Sequence, residues 1–81
     1  MFNIEKRIKN IISIQLDKKK EKLKPFTRFV EDLGADSLDM IELFMSLEEE
    51  FNVHIPDEDM EKIIDIQSAS LYIQKKCKKN I

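Results

Sequence analysis

The chain has 81 residues, with 14 Lys/Arg against 16 Asp/Glu for a formal net charge of −2, 42% apolar and 37% charged residues, one Gly and two Pro. That composition excludes a disordered chain and a turn-rich β-protein, and at this length a single thin core leaves little room for a deep catalytic cleft. No apolar run approaches a membrane span and Met1-Phe2-Asn3-Ile4-Glu5-Lys6 carries no signal-peptide core, while Cys77, the only cysteine, excludes an internal disulfide and fits a reducing compartment.

Residues 2–16 predict a first helix, because Ile4, Ile8, Ile11, Ile12 and Leu16 fall on one helical stripe. From Asp17 to Asp36 no period is sustained; Pro25 interrupts any helix and Gly34 marks a turn. This long loop is expected to be pinned to the core by Phe26, Phe29, Val30 and Leu33. Residues 37–51 predict a second helix with Asp36 as N-cap, Asp39 supporting it and Asn52 as the stop. Ile55-Pro56-Asp57 opens a short third helix whose apolar side is expected to comprise Met60, Ile63 and Ile64. Residues 67–77 predict a last helix through Ala69, Tyr72, Ile73 and Cys77. The expected fold is all-α: one domain over residues 1–81, a bundle of three main helices and one short helix with a long first loop.

The second helix carries two apolar stripes at about 100° per residue. Met40, Leu43, Phe44, Leu47 and Phe51 form the core stripe, while Leu38, Ile41 and Met45 lie on roughly the opposite side, flanked by Glu42, Glu48 and Glu49. Either the bundle wraps round and buries both stripes, or the second is an exposed strip with an acidic rim, the anatomy of a protein-docking site. The exposed strip is the expectation, and Met45 suits a surface that adapts to several partners.

Charge is segregated along the chain. Residues 31–61 hold twelve Asp/Glu and no Lys/Arg, between a first segment with nine Lys/Arg and a last with five. An acidic block is by itself a solvated face as readily as a docking field for basic partners. Ser37 begins the second helix beside the apolar strip, where a phosphate would meet free backbone N–H groups and the positive end of the helix dipole. By position alone it is an ordinary first-turn serine.

The local sequence adds more. Glu31-Asp32-Leu33-Gly34-Ala35-Asp36-Ser37-Leu38-Asp39 closely resembles the phosphopantetheine attachment site of acyl carrier proteins of the dissociated fatty-acid synthase type. Ile41-Glu42-Leu43, Leu47-Glu48-Glu49-Glu50-Phe51 and Ile55-Pro56-Asp57-Glu58 continue the resemblance, which extends more weakly from residue 4 to Ile73. It implies a carrier rather than an enzyme. Ser37 would take 4'-phosphopantetheine from coenzyme A through a separate phosphopantetheinyl transferase, and the arm's thiol would hold acyl groups as thioesters. Asp36 and Leu38 would flank the attachment point. Asp36, Asp39, Glu42 and Glu49 would face Lys/Arg patches on fatty-acid synthase enzymes and acyltransferases, with Leu38, Ile41 and Met45 as the apolar contacts and Glu48 among the acids on their rim. The family fold is a four-helix bundle with a long first loop, and its growing chain tucks into the core, where burial is worth about 0.8 kcal/mol per CH₂. A monomer in the cytoplasm is expected, or in an organelle stroma if a presequence has been removed. The alternatives are a carrier for polyketide, peptide or D-alanine chemistry, and an unmodified acidic interaction domain.

Two departures from the family pattern stand out. The excess Lys lies in the first helix, the first loop and the tail, which puts partner contacts through that loop in question. Ser70 stands where the family has an apolar residue and Leu71 where it has a polar one, so the last helix is expected to pack loosely or rotate slightly. Other chemistry is set aside. His54 reads as a solvent-facing loop residue, no Gly-x-Ser-x-Gly elbow is present, and Cys77 is not assigned the carrier thiol. Asp57-Glu58-Asp59 and Glu61 lack the glycine and closing Glu of a calcium loop, so no metal is expected. Nucleic acid is not expected either, because the basic residues carry no aromatic interleaving.

Overall fold

The structure is a computed structural model that describes residues 4–78. The isoleucine stripe forms α1, Ile4–Leu16, with Ile8 and Ile12 fully buried and Ile4, Ile11 and Leu16 at the edge of the core. Residues 2 and 3 of the expected first helix lie outside the described residues. α1 ends where Asp17 turns left-handed (φ 55°), closed by the Ser13 hydroxyl donating to the Lys18 carbonyl at 2.6 Å. At its other end the Arg7 guanidinium donates to Glu50 Oε2 at 2.6 Å and lies 4.6 Å from the centre of the Phe51 ring. That joins the start of α1 to the end of the second helix.

The first loop is ordered by its own backbone. A single 3₁₀ turn, Lys20–Lys22, leads into Leu23, which is buried. Thr27, also buried, accepts from the Lys24 N–H through its hydroxyl at 2.8 Å, and its carbonyl accepts from Ile66 N–H at 3.1 Å. Pro25 and Ile64 carbonyls accept from Gln67 N–H at 2.7 Å and Phe29 N–H at 3.1 Å. The result is one isolated antiparallel bridge between Arg28 and Asp65, and no strand among the described residues. Thr27 and Phe29, whose backbone groups bond those of Ile66 and Ile64, face the core, whereas Phe26 (71% exposed) and Val30 face solvent. The expectation that Phe26 and Val30 pin the loop is corrected on this ground: Leu23, Thr27, Phe29 and Ala35 do so, with Leu33 half-buried.

α2 spans Ser37–Phe51 and buries Leu43, Phe44, Leu47 and Phe51, with Met40 packed at the margin. Asn52 ends it in the left-handed conformation (φ 53°) and returns its N–H to the Glu48 carbonyl. The short α3 is Asp57–Met60, with Pro56 as its N-cap rather than inside its first turn. It stops at Met60, so Ile63 and Ile64 lie beyond it. Ile63 enters the core and Ile64 is exposed, which corrects the expected apolar side of that helix. The Tyr72 hydroxyl donates to Asp59 Oδ2 at 2.6 Å and ties α3 to the last helix.

α4 spans Ile66–Lys78, starting one residue earlier than expected. Asp65 sets that start: its Oδ1 accepts from Ser68 N–H at 2.8 Å, while Ser68 Oγ accepts from Asp65 N–H at 3.1 Å. Such reciprocal side-chain bonds satisfy donors that a helix N-terminus leaves free. Ile66, Ala69 and Ile73 are fully buried, and Tyr72 and Cys77 are packed at the core margin. α1 packs against both α2 and α4 and is the middle element of the bundle. The architecture is three long helices and one short one with a long first loop.

The unusual pair in α4 has a visible cost. Leu71 faces solvent, while Ser70 turns inward and its buried Oγ has no hydrogen-bond partner. A buried hydroxyl without a partner is destabilising, so Ser70→Ala is expected to raise unfolding stability by about 1 kcal/mol, read as a higher urea midpoint at unchanged m. A second expectation concerns pH. Burial, with the Asp59 hydrogen bond and charge, pushes the Tyr72 phenol up from 10.0 to about 12. The folded chain then holds this proton more tightly than the unfolded one. The contribution is complete below pH 10 and is lost as pH rises to about 12, so native stability should fall across that window more steeply than that of Tyr72→Phe in parallel urea titrations.

Candidate functional site

The turn that leads into α2 needs a left-handed residue, and Gly34 supplies it at φ 69°. Nothing lies within 4 Å of where a Cβ would sit, so the requirement on Gly34 is conformational rather than steric. Gly34 N–H donates to the Val30 carbonyl at 3.1 Å and Ala35 N–H to the Phe29 carbonyl at 3.0 Å, which brings Asp36 into extended backbone at the head of the helix. Asp36 Oδ1 accepts from Asp39 N–H at 2.8 Å, and Asp39 Oδ2 accepts from Asp36 N–H at 3.2 Å. The expected cap is therefore present as a complete capping box.

This box makes Ser37 the first residue of α2 and leaves it exposed. Of the first four N–H groups in the helix, that of Asp39 meets the Asp36 carboxylate and that of Met40 meets the Asp36 carbonyl. Those of Ser37 and Leu38 have no acceptor among the described residues. An exposed hydroxyl, two unengaged donors and the positive end of a 15-residue helix are a fitting seat for a phosphodiester.

The second stripe of α2 is exposed, as expected: Leu38 is 61%, Ile41 53% and Met45 57% exposed. The acids around it are not equivalent. Glu42 and Glu49 are exposed, and Glu42 Oε1 accepts from Gln15 Nε2 at 3.1 Å. Gln15 Oε1 in turn accepts from the Ser46 hydroxyl at 3.0 Å, so α1 steadies the Glu42 carboxylate. Asp36 and Asp39 already serve the cap. Glu48 turns inward: its Oε2 accepts from Ile55 N–H at 2.8 Å and lies 3.3 Å from His54 Nδ1. Its carboxylate holds the connection between α2 and α3. His54 itself is exposed, in keeping with a loop role.

Two residues that the sequence reading passed over also belong to this face. Ile14 is 84% exposed and lines a groove between α1 and α2 with Gln15, Ser46 and Glu49. The available signal was an isoleucine off the α1 core stripe. Gln15 carries no such signal, because its role depends on how α1 lies across α2.

A second concavity, of about 420 Å³, opens between α2, the first loop and the segment after Met60. Phe29, Val30, Met40, Phe44, Ile63 and Ile64 line it, and its wall is predominantly apolar. Val30 and Ile64, both exposed, stand at its edge. Among the described residues no cluster of His, Cys, Asp and Glu could hold a metal ion, and no helix is long and apolar enough to cross a membrane.

A helical bundle with an exposed serine at the head of α2, an apolar strip and an adjoining crevice has the features of a carrier domain. In agreement, the family model described as the phosphopantetheine attachment site matches residues 6–73. The chain belongs to that family, whose members are carrier domains rather than catalytic ones and hold a covalently attached 4'-phosphopantetheine group. Such carriers meet phosphopantetheinyl transferases and partner enzymes.

Proposed function

We propose that this chain carries acyl groups in fatty acid biosynthesis, with 4'-phosphopantetheine joined to Ser37 Oγ. The observation that carries the reading is the position of Ser37, exposed as the first residue of a capped helix with the N–H groups of Ser37 and Leu38 unengaged. When bound, the group supplies a thiol on a flexible arm, which holds acyl chains as thioesters. Everything else is the work of the chain's own residues. The capping box holds Ser37 at the helix end, and the Ser37 and Leu38 N–H groups with the helix dipole offset the phosphodiester charge. The carboxylates of Asp36 and Asp39 are turned to backbone donors of the cap.

Leu38, Ile41 and Met45 form the apolar contact for partner enzymes, and Glu42 and Glu49 steer basic patches toward it. Glu48, spent on the Ile55 N–H, contributes more to the shape of this face than to its field. Carrier work calls for brief encounters with several enzymes, and an exposed apolar strip with an acidic rim favours fast, weak docking. The crevice beside Met40 and Phe44 is apolar and open enough to shelter part of an alkyl chain. The cytoplasm, or an organelle stroma, is the compartment this reading requires.

Intact-mass measurement after incubation with coenzyme A and a broad-specificity phosphopantetheinyl transferase is expected to show one added arm on the native chain and none on Ser37→Ala. No addition by several transferases would overturn the carrier reading at Ser37. Subsequent loading by a malonyl transferase distinguishes fatty-acid synthesis from peptide or D-alanine chemistry. In that assay Glu42→Lys should slow loading roughly tenfold at low salt while leaving an attached arm in place.

A further inference from the structure

The Lys-rich part of the first loop takes no part in the site described above. Residues 18–24 hold five Lys and one Glu. All five Lys are exposed, and none of their ammonium groups pairs with a carboxylate among the described residues. Lys18, Lys19, Lys22 and Lys24 border a crevice of about 480 Å³ together with Phe26, and Asp32 is the acid on its rim. Asp32 Oδ2 is engaged by Arg28 N–H at 2.9 Å.

Phe26 stands out from this basic surface, 71% exposed. The backbone beneath it is pinned. Thr27 N–H donates to the Lys24 carbonyl at 3.0 Å, Lys24 N–H donates to the Thr27 hydroxyl, and Gln67 and Ile66 N–H groups hold the Pro25 and Thr27 carbonyls. Thr27 and Phe29 on either side of Arg28 are buried, and these bonds hold the backbone so that Phe26 stands on the solvent side.

The residue types narrow the partner. Lysine heads are mobile, strongly hydrated point charges, suited to a diffuse negative surface; residues 18–24 contain no arginine fork for bidentate recognition. One exposed apolar ring among lysines matches the pairing of Phe with Lys in segments that lie in a membrane interface, whereas single-stranded nucleic acid calls for successive stacking rings. An acidic protein face would want a packed apolar centre, and here the apolar contribution is a single ring. We infer that this loop is a peripheral contact for anionic lipid headgroups: the ammonium groups of Lys18, Lys19, Lys22 and Lys24 lie over the negative surface and the Phe26 ring seats among the headgroups. The carrier then rests on a membrane without spanning it. This contact is independent of the acidic strip on α2 and of any group on Ser37.

The test is co-sedimentation of the full chain with vesicles of phosphatidylcholine alone and of equimolar phosphatidylcholine and phosphatidylglycerol, at low and high salt. Binding is expected to the anionic vesicles only, and to be lost at high salt. Lys19→Glu with Lys22→Glu should weaken it by roughly tenfold or more. Phe26→Ser should weaken it by a smaller factor and leave the salt dependence intact. Circular dichroism of each variant checks that the bundle is retained, and Lys19→Gln with Lys22→Gln replaces any variant that fails that check. Absence of binding to anionic vesicles overturns the inference, as does binding that the double Lys variant leaves unchanged. Retention by a thymidine oligonucleotide with none by vesicles would also overturn it and assign the patch to nucleic acid.

Discussion

The reciprocal hydrogen bonds between Asp36 and Asp39 set where α2 begins and satisfy two donors at its head. Burial of Leu43, Phe44, Leu47 and Phe51 sets which way the helix is turned about its axis. With that stripe on the core, the strip of Leu38, Ile41 and Met45 is left on the solvent face. Gly34 makes the box possible by turning the chain at positive φ just before it. The cap and the core stripe of α2 together therefore decide the exposure of Ser37 and the orientation of the apolar strip.

The rest of the molecule holds this arrangement in place from outside the helix. α1 lies between α2 and α4, and at the far end of α2 the Arg7 guanidinium joins it to Glu50 and Phe51. The first loop is stitched to the start of α4 through Thr27, Pro25 and Phe29, so a segment without helical period still has its backbone groups paired. Such pairing is what allows a long loop to be rigid, because backbone polar groups buried without partners are costly. Among the described residues of α4, polar satisfaction fails visibly at Ser70.

Charge in this protein divides between two surfaces, and its net value conceals the division. The acids of residues 31–61 divide into those that build, such as Asp36, Asp39, Glu48 and Asp59, and those left free to act at a distance, such as Glu49. Glu42 stands between, exposed yet steadied by Gln15. The lysines of the first loop form a separate field around Phe26. A near-neutral sum thus conceals two surfaces of opposite sign, and long-range attraction depends on each local field more than on the total.

The sequence by itself determined the helices with strong signals: the isoleucine stripe of α1, the two stripes and the Asp36 cap of α2, and the stop at Asn52. These depend on periodicity and on hydrogen bonds between residues close in the chain, which are legible without a fold. Tertiary structure alone decided the rest. Phe26 and Val30 face solvent while Thr27 and Phe29 are buried because backbone bonds to Ile64, Ile66 and Gln67 fix how a segment without periodic signature lies on the bundle. Glu48 leaves the acidic rim because the Ile55 N–H draws its carboxylate inward. Ile14 and Gln15 join the candidate site because α1 crosses α2 beside Ser46, a contact between residues about thirty positions apart. Those outcomes arise from pairings between distant segments, and a linear pattern carries no information about which distant groups will compete for the same donor.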